Sequence, residues 1–418
     1  MFCFVCPKKE NQVNRLGVEK MQNQTIADLD DACSGCGACT LVCPTKAISV
    51  EYNGKGFFEA RINEQQCVRC GRCTTVCIKD NGYIDIQRLE KGKLFASVSR
   101  NASTLMNSSS GGIVSEAYAT ALEKGYSIVG TVYNYDLDQA EMHLSKDKDA
   151  IKSFSGSKYI QSYTVDAFRN AILYAKEDKK NRVMIVGTPC QIFGIDRALE
   201  ALGLREQFIL VDFFCHGVPS HLVWSAYLKN VKRYLKSDKL NEIKFREKRN
   251  GWHNYWIEMS AGPRKYSQMG SLDMFYEAFF DNQFMNDRCF TCRFRAEYSK
   301  ADIRVGDFWG KEFQSNDTGV SAVIILSDVG AKFFEEIASI EIIGEYDIRK
   351  FVLSQSHKEY QKSKCREEAF SVLKKTGNLQ KAMSVYQSYK ERAMVQMKKC
   401  IAVLPKESKK FLRRKGLI

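Results

Sequence analysis

The chain has 418 residues, 44% hydrophobic and 27% charged, which suits a soluble globular protein of two or three domains with a packed core. No apolar run approaches the ~20 residues of a membrane span, and Met1-Phe2-Cys3-Phe4-Val5-Cys6 lacks the basic and apolar segments of a signal peptide. A cytoplasmic location is therefore expected, and the 16 cysteines read as metal ligands or redox centres, not disulfides.

Residues 1–32 form a polar lead-in with a lone pair, Cys3 and Cys6. Two cysteines do not complete a four-ligand site, so these are spare thiols. Residues 33–90 carry the internal repeat. The first copy is Cys33-x-x-Cys36-x-x-Cys39-x-x-x-Cys43-Pro44, and the second is Cys67-x-x-Cys70-x-x-Cys73-x-x-x-Cys77-Ile78. This spacing belongs to two-cluster ferredoxins, in which three cysteines of one loop hold a cluster and the fourth crosses to the other. The expected sets are Cys33, Cys36, Cys39 and Cys77 for one 4Fe–4S cluster, and Cys67, Cys70, Cys73 and Cys43 for the second. Gly35, Gly37 and Gly71 suit a loop that wraps a cubane closely and turns backbone N–H groups to its sulfurs. Ile78 in place of a second proline loosens that turn without removing a ligand. Zinc knuckles or disulfides fit two copies of this four-part spacing poorly.

Residues 91–350 form a second domain, which opens on a loose stretch (91–107) and a Ser/Gly turn at 108–112. Helical apolar spacing follows at 113–124, 165–175 and 192–202, and strand-like runs at 127–133, 182–186, 208–214 and 321–326. The βαβ rhythm predicts a layered α/β domain behind the ferredoxin-like one, an α+β or α/β chain as a whole. Cys190 in Gly187-Thr188-Pro189-Cys190-Gln191 and Cys215 in Phe214-Cys215-His216-Gly217 each follow a predicted strand, where α/β folds bind ligands. With Cys289-x-x-Cys292 they complete a four-thiolate set fit for a third 4Fe–4S cluster. Buried free thiols, or a redox-active Cys289/Cys292 pair, are the competing readings.

No G-x-G-x-x-G occurs, so a Rossmann dinucleotide site is not indicated. The turn at 108–112 precedes a helix and can hold a phosphate through backbone N–H groups. Lys158 can pair with a pyrophosphate or a flavin ring and Tyr159 can stack, with a helix cap and a surface lysine as the plain alternatives. Arg246, Lys248 and Arg249 with Trp252 and His253 form either a receptor for an anionic acceptor or a strand end with solvated charges. Asp302 and Asp307 orient groups near Cys289 and Cys292, or Asp307 caps a turn. His216 tunes a cluster, donates a proton or is structural.

The last segment, 351–418, reads as basic amphipathic helices broken near residues 376–378. From Lys358 to the C-terminus, 17 Lys and Arg face 5 Glu and no Asp, so this segment's +12 is most of the chain's +14. Such a tail docks an acidic ferredoxin or touches an anionic membrane surface, or is simply a solvated face; nucleic acid is not expected. Cys365 and Cys400 lie in it and are expected to be structural.

Seven motifs occur in order: Ser109-Ser110-Gly111-Gly112, Ser157-Lys158-Tyr159, Gly187-Thr188-Pro189-Cys190-Gln191, Cys215-His216-Gly217, Phe245-Arg246-x-Lys248-x-x-Gly251-Trp252, Cys289-x-x-Cys292, and Ala301-Asp302-Ile303-x-x-Gly306-Asp307-Phe308-Trp309-Gly310. Over residues 33–330 the sequence resembles the family of beta subunits of coenzyme F-420 hydrogenases and dehydrogenases. That resemblance implies iron–sulfur clusters and an FAD that exchanges a hydride with a small acceptor. It makes Ser109, Ser110, Gly111, Gly112, Ser157, Lys158, Tyr159, Thr188 and Gln191 the expected flavin-binding residues. Lys158, Arg246, Lys248 and His216 become the expected catalytic ones. The expected function is an iron–sulfur flavoprotein oxidoreductase fed by a ferredoxin or another redox protein. The alternatives are an electron-transfer subunit without its own substrate, wired to a larger complex, and a regulatory or scaffold protein.

Overall fold

The computed structural model describes residues 24–29, 32–80, 89, 92–295, 298–355, 360–388, 392–393, 397 and 400–401, so the Cys3/Cys6 pair and the last basic residues lie outside it. Its strands in chain order are β1 (Ile48–Tyr52), β2 (Phe58–Ile62), β3 (Lys93–Ser99), β4 (Ser127–Asn134), β5 (Gln139–Ser145), β6 (Ser162–Tyr163) and β7 (Val183–Gly187). There follow β8 (Phe208–Phe213), β9 (Glu242–Glu247), β10 (Trp256–Ala261), β11 (Arg264–Met269), β12 (Ile303–Asp307), β13 (Ser321–Ile325) and β14 (Ile340–Tyr346).

Nine strands make one mixed sheet in the order β14-β3-β13-β12-β8-β7-β4-β5-β6, with β12, β8, β7 and β4 parallel to one another. The parallel centre follows from sequence. Val183–Gly187 is apolar throughout because both of its faces are covered. Met184 and Val186 point to the helix Ile113–Glu123, while Val183 and Ile185 pack with Phe168, Ile192, Ile195 and Leu199 from Val165–Glu177 and Pro189–Ala201. Side chains alternate across a strand, so one five-residue run feeds both cores.

Two expectations give way. The stretch 91–107 is not loose: it holds β3, paired to β13 and β14, and the helix Ala102–Asn107. Lys93, Ser97 and Ser99 weaken its pattern, and pairing on both edges overrides that weak propensity. Nor is the C-terminal segment only a basic surface. The helices Arg366–Thr376 and Leu379–Met383 bury Ala369, Phe370, Leu373, Leu379 and Met383 in the core with Trp224, Phe275 and Phe284. The break between them is as expected: Gly377 takes a left-handed conformation and Asn378 caps the next helix. Among the described residues no helix is long and apolar enough to cross a membrane.

The hairpin β1–β2 and the short helices Ala38–Val42 and Arg72–Thr75 make up the cysteine-repeat module. It is joined to the large sheet by specific bonds. Phe58 N–H donates to Gln161 Oε1 at 2.7 Å, Gln161 Nε2 donates to Ser34 O at 3.0 Å, and Thr164 Oγ1 donates to Cys36 O at 2.9 Å.

Candidate metal centres and cofactor site

The two cysteine loops are built alike. Gly37 and Gly71 take φ of 77° and 76° and begin the two short helices. In the first loop Gly35 N–H points to Cys33 Sγ at 3.3 Å, and in the second Arg69 N–H points to Cys67 Sγ at 3.4 Å. N–H groups turned to sulfur are what a thiolate-held cluster needs. A cavity of about 420 Å³ is lined by Cys33, Cys36, Cys39 and Cys77, and by none of the other cysteines. Burial lifts the Cys39 thiol well above its ordinary value, and Cys36, Cys33, Cys77 and Cys73 add to the rise. Burial pushes Cys77 up to about 12, with Cys36 and Cys33 acting in the same direction. Cys73 is raised by burial, then by Cys70 and Cys43. Cys77 thus lies with the first loop, and Cys43 lies near Cys73 of the second. Among the described residues no three His, Cys, Asp or Glu side chains converge as ligands of one metal ion. A cubane instead takes one thiolate at each corner, and a buried set of raised thiols becomes thiolate when such a cation compensates it.

Cys190, Cys215, Cys289 and Cys292 also come together. Burial raises Cys190 well above its usual value, and Cys292 and Cys215 contribute. Cys215 is raised to about 11 by burial and then by Cys292, and Cys289 is raised by burial, Cys215 and Cys292. Gly217, at φ 132°, lets the Cys215 loop lie on the CxxC helix: a Cβ there would sit 2.5 Å from Met285 Sδ and 3.3 Å from Cys289 Cβ. Arg295 and Arg304 place positive charge beside Cys215.

This third set adjoins the first. Cys190 opens the helix Pro189–Ala201, and four residues on, a Cβ at Gly194 would meet Cys36 Sγ at 2.9 Å. Ile78, next to Cys77, is buried with Phe193, Phe294 and Tyr298, and Cys190 and Cys292 pack on the same cluster. Arg288 Nη2 donates to Ile78 O at 3.0 Å from the helix that carries Cys289. Ile78 is therefore a seat between two cysteine sets, not a loosened turn. Sequence spacing gave no sign of this, because its partners lie over a hundred residues away.

The Ser/Gly turn and the Ser157-Lys158-Tyr159 loop meet: Ser157 N–H donates to Ser109 Oγ at 2.9 Å. Ser110 Oγ donates to Val320 O, and Gly111 N–H to Ser321 Oγ, both at 2.9 Å. Gly112, at φ 86°, starts the helix Ile113–Glu123 without a side-chain cap. Lys158 Nζ donates to Ser153 O at 2.6 Å and Ser155 O at 3.0 Å, and burial lowers its pKa to about 7. Tyr159 is edge-on to Tyr276 and Phe279.

Lys248 is not a free receptor for an anion. Its Nζ donates to Leu105 O, Ser110 O and Thr318 O at 2.6–2.8 Å, using all three protons to hold the Ser/Gly turn. Burial, followed by Arg246, lowers its pKa to about 7, while Asp307 opposes. Lys248→Met is expected to cost about 3 kcal/mol in urea unfolding, since three buried carbonyls lose a charged partner. Arg249 is spent on Glu247 and Glu258.

Arg246 differs. Its side chain is 4% exposed, and Nη1 donates to Asp307 Oδ2 at 2.7 Å. Nε and Nη2 are buried without a hydrogen-bond partner among the described residues. Tyr255 and Trp309 flank the guanidinium at 4.9 and 5.6 Å. Asp307 also accepts from Trp252 Nε1 at 3.0 Å, so it buttresses Arg246 and caps no turn. Asp302 holds Arg205, Leu210 N–H and Ser327, and serves the centre of the sheet where β12 begins rather than the cysteines. Thr188 and Gln191 form a capping box at the Cys190 helix, with Gln191 Nε2 given to Ser162 Oγ, so their polar atoms serve the cysteine loop. His216 stacks on Phe279 and bonds the Tyr360 hydroxyl through Nδ1 at 2.8 Å.

Residues 180–350 match the family described as the C terminus of the coenzyme F420 hydrogenase/dehydrogenase beta subunit, and residues 32–81 match the 4Fe–4S dicluster domain. The F subunit of the F(420)H(2) dehydrogenase of Methanosarcina mazei is 24% identical over 325 residues, 73% of this chain and 82% of the relative. An uncharacterized protein of Methanocaldococcus jannaschii is 25% identical over 337 residues, 72% of this chain and 86% of the relative. A chain of the F420-reducing NiFe hydrogenase complex from Methanosarcina barkeri superposes with a TM-score of 0.45 at 16% identity, over 63% of this chain and 87% of that one.

Proposed function

This chain belongs to the family of coenzyme F-420 hydrogenase/dehydrogenase beta subunits and carries an iron–sulfur electron-transfer module, and on that footing we propose that it is a flavin-dependent oxidoreductase linking a one-electron donor protein to a small acceptor. The observation that carries the reading is the shared wall between cysteine sets: Gly194 on the Cys190 helix lies against Cys36, and Ile78 joins Cys77 to Cys190 and Cys292. The sets then form a row. Cys43, Cys67, Cys70 and Cys73 stand outermost, with Cys70 exposed. Cys33, Cys36, Cys39 and Cys77 lie between, and Cys190, Cys215, Cys289 and Cys292 hold a third 4Fe–4S cluster innermost.

Each set's residues order and insulate one carrier of single electrons. The outermost loop presents Val68, 63% exposed, followed by exposed Arg69 and Arg72. An apolar centre with a basic rim suits an acidic donor such as a ferredoxin better than the described C-terminal helices do, whose apolar faces are packed into the core. A bound FAD supplies the change from single electrons to hydride chemistry. Ser109, Gly112 and Ser157 would hold its phosphates at the helix N-terminus, with Lys158 and Tyr159 beside it. The residues fit an anionic or carbonyl-bearing group on one count above all: Arg246 has two buried N–H donors to give.

Chains purified without oxygen are expected to hold about twelve irons, matching acid-labile sulfide and one flavin. About eight irons and no flavin would leave a dicluster module on a domain of another purpose. The relative that is one subunit of a dehydrogenase favours a second reading, an electron-transfer component wired to a larger complex. Failure of the isolated, fully loaded chain to reduce any acceptor from reduced flavin would favour it.

A further inference from the structure

Residues 360–366 lie beyond the span matched by the family and begin against the loop that carries Cys215. The Tyr360 hydroxyl bonds His216, the neighbour of Cys215, at 2.8 Å, and the Arg295 guanidinium lies 3.7 Å over the Tyr360 ring. Cys215 and Cys289 are both near enough to act on the Tyr360 hydroxyl. The other end of the segment is bolted to the helix that carries Cys289 and to the loop just before it. Arg366, 2% exposed, donates to Gln283 O at 2.7 Å, Met285 O at 2.6 Å and Asp287 Oδ1 at 3.1 Å. Its guanidinium also covers the ring of Phe290 at 5.2 Å. Lys362 reaches Asp287 at 2.7 Å, and Ser363 N–H donates to Gln283 Oε1 at 2.8 Å.

A short segment that is irregular up to the helix start at Arg366 would not gather this many bonds to one helix and one loop by composition alone. Its basic residues are those the sequence assigns to a solvated surface, yet Lys362 and Arg366 both pair with Asp287, beside the CxxC. We propose that residues 360–366 are a strap that seals the third cluster site from solvent and oxygen, with Tyr360 and Arg366 as its positioning residues. Solvent access sets both the potential of an iron–sulfur cluster and its exposure to oxidants. The strap thus protects the innermost carrier while leaving the outermost loop open for its donor. The proposal rests on the third cluster assigned above.

The test uses the full chain purified without oxygen: parent, Tyr360→Phe, Tyr360→Ala and Arg366→Met. Iron is counted under argon, then visible absorbance and the individual cluster resonances are followed after admitting air. Tyr360→Ala is expected to keep its iron under argon and then to lose about a third of it several-fold faster than the parent. That loss should be confined to one resonance, while Tyr360→Phe, which keeps the ring, stays near the parent. Arg366→Met should lose the same resonance, in air or already on purification. Decay of all resonances together, or at the parent rate in both Tyr360→Ala and Arg366→Met, would overturn the strap. A parent with about eight irons would instead overturn the third cluster itself.

Discussion

Cys190→Ser is expected to remove about four of about twelve irons and to abolish reduction of bound flavin from the N-terminal side, while both N-terminal cluster resonances persist. The reason is position. Cys190 is the second residue of its helix, held by the Thr188–Gln191 capping box and packed with Cys292 on Phe193 and Phe294. Serine keeps the size and the cap but offers a poor ligand, so the effect falls on the metal and not on the fold. Cys43→Ser serves as a control with a different signature. Because Cys43 lies close enough to raise Cys73 of the second loop, its loss should strip the outermost cluster and leave the third intact. Electron-resonance spectra and iron counts on both variants check the row as well as the crossing of ligands. If Cys190→Ser retained all its iron, the third set would be a group of buried thiols.

What the sequence made legible depended on how local the cause was. The cysteine repeat was readable because a cubane takes three ligands from one short loop, and the loop glycines sit within it. Strands β7 and β8 were readable because burial on both faces leaves unbroken apolar runs. Strand β3 was not, since Ser97 and Ser99 become strand residues only through neighbours more than two hundred positions later in the chain. Lys248 looked like an anion receptor because its chemistry permits one. Its three carbonyl partners come from two distant segments that no local pattern connects. The amphipathic helices of the C-terminal segment were readable too, but not where their apolar face goes, because Ala369, Phe370 and Leu373 pack on partners some hundred residues earlier, such as Trp224 and Phe275.

Asp212→Asn is expected to lower unfolding free energy by about 3–5 kcal/mol, the cost of stripping the partner from a buried charge. Asp212 on β8 and Arg304 on β12 stand opposite each other in the parallel ladder, and neither side chain is exposed. The pair is bidentate, with both N–H···O distances 2.7 Å, and Ser299 Oγ adds a third bond at 2.8 Å. Asparagine keeps the shape but leaves the guanidinium without a counter-charge in a site water does not reach. The loss does not stay local. Arg304 Nη2 also donates to Phe294 O at 3.1 Å and Tyr298 O at 2.6 Å, the two rings that pack on Cys190 and Cys292. Asp212 itself lies three residues before Cys215. A protein of ordinary stability has about 5–15 kcal/mol in total, so urea midpoint and third-cluster iron should fall together in Asp212→Asn. The double variant Asp212→Leu with Arg304→Met discriminates, because replacing both charges by apolar groups is often neutral. It should recover much of the lost midpoint yet still load the third cluster poorly, since the two carbonyls remain without their donor. Full iron in the double variant would show that the loop beside Cys292 holds its shape without Arg304.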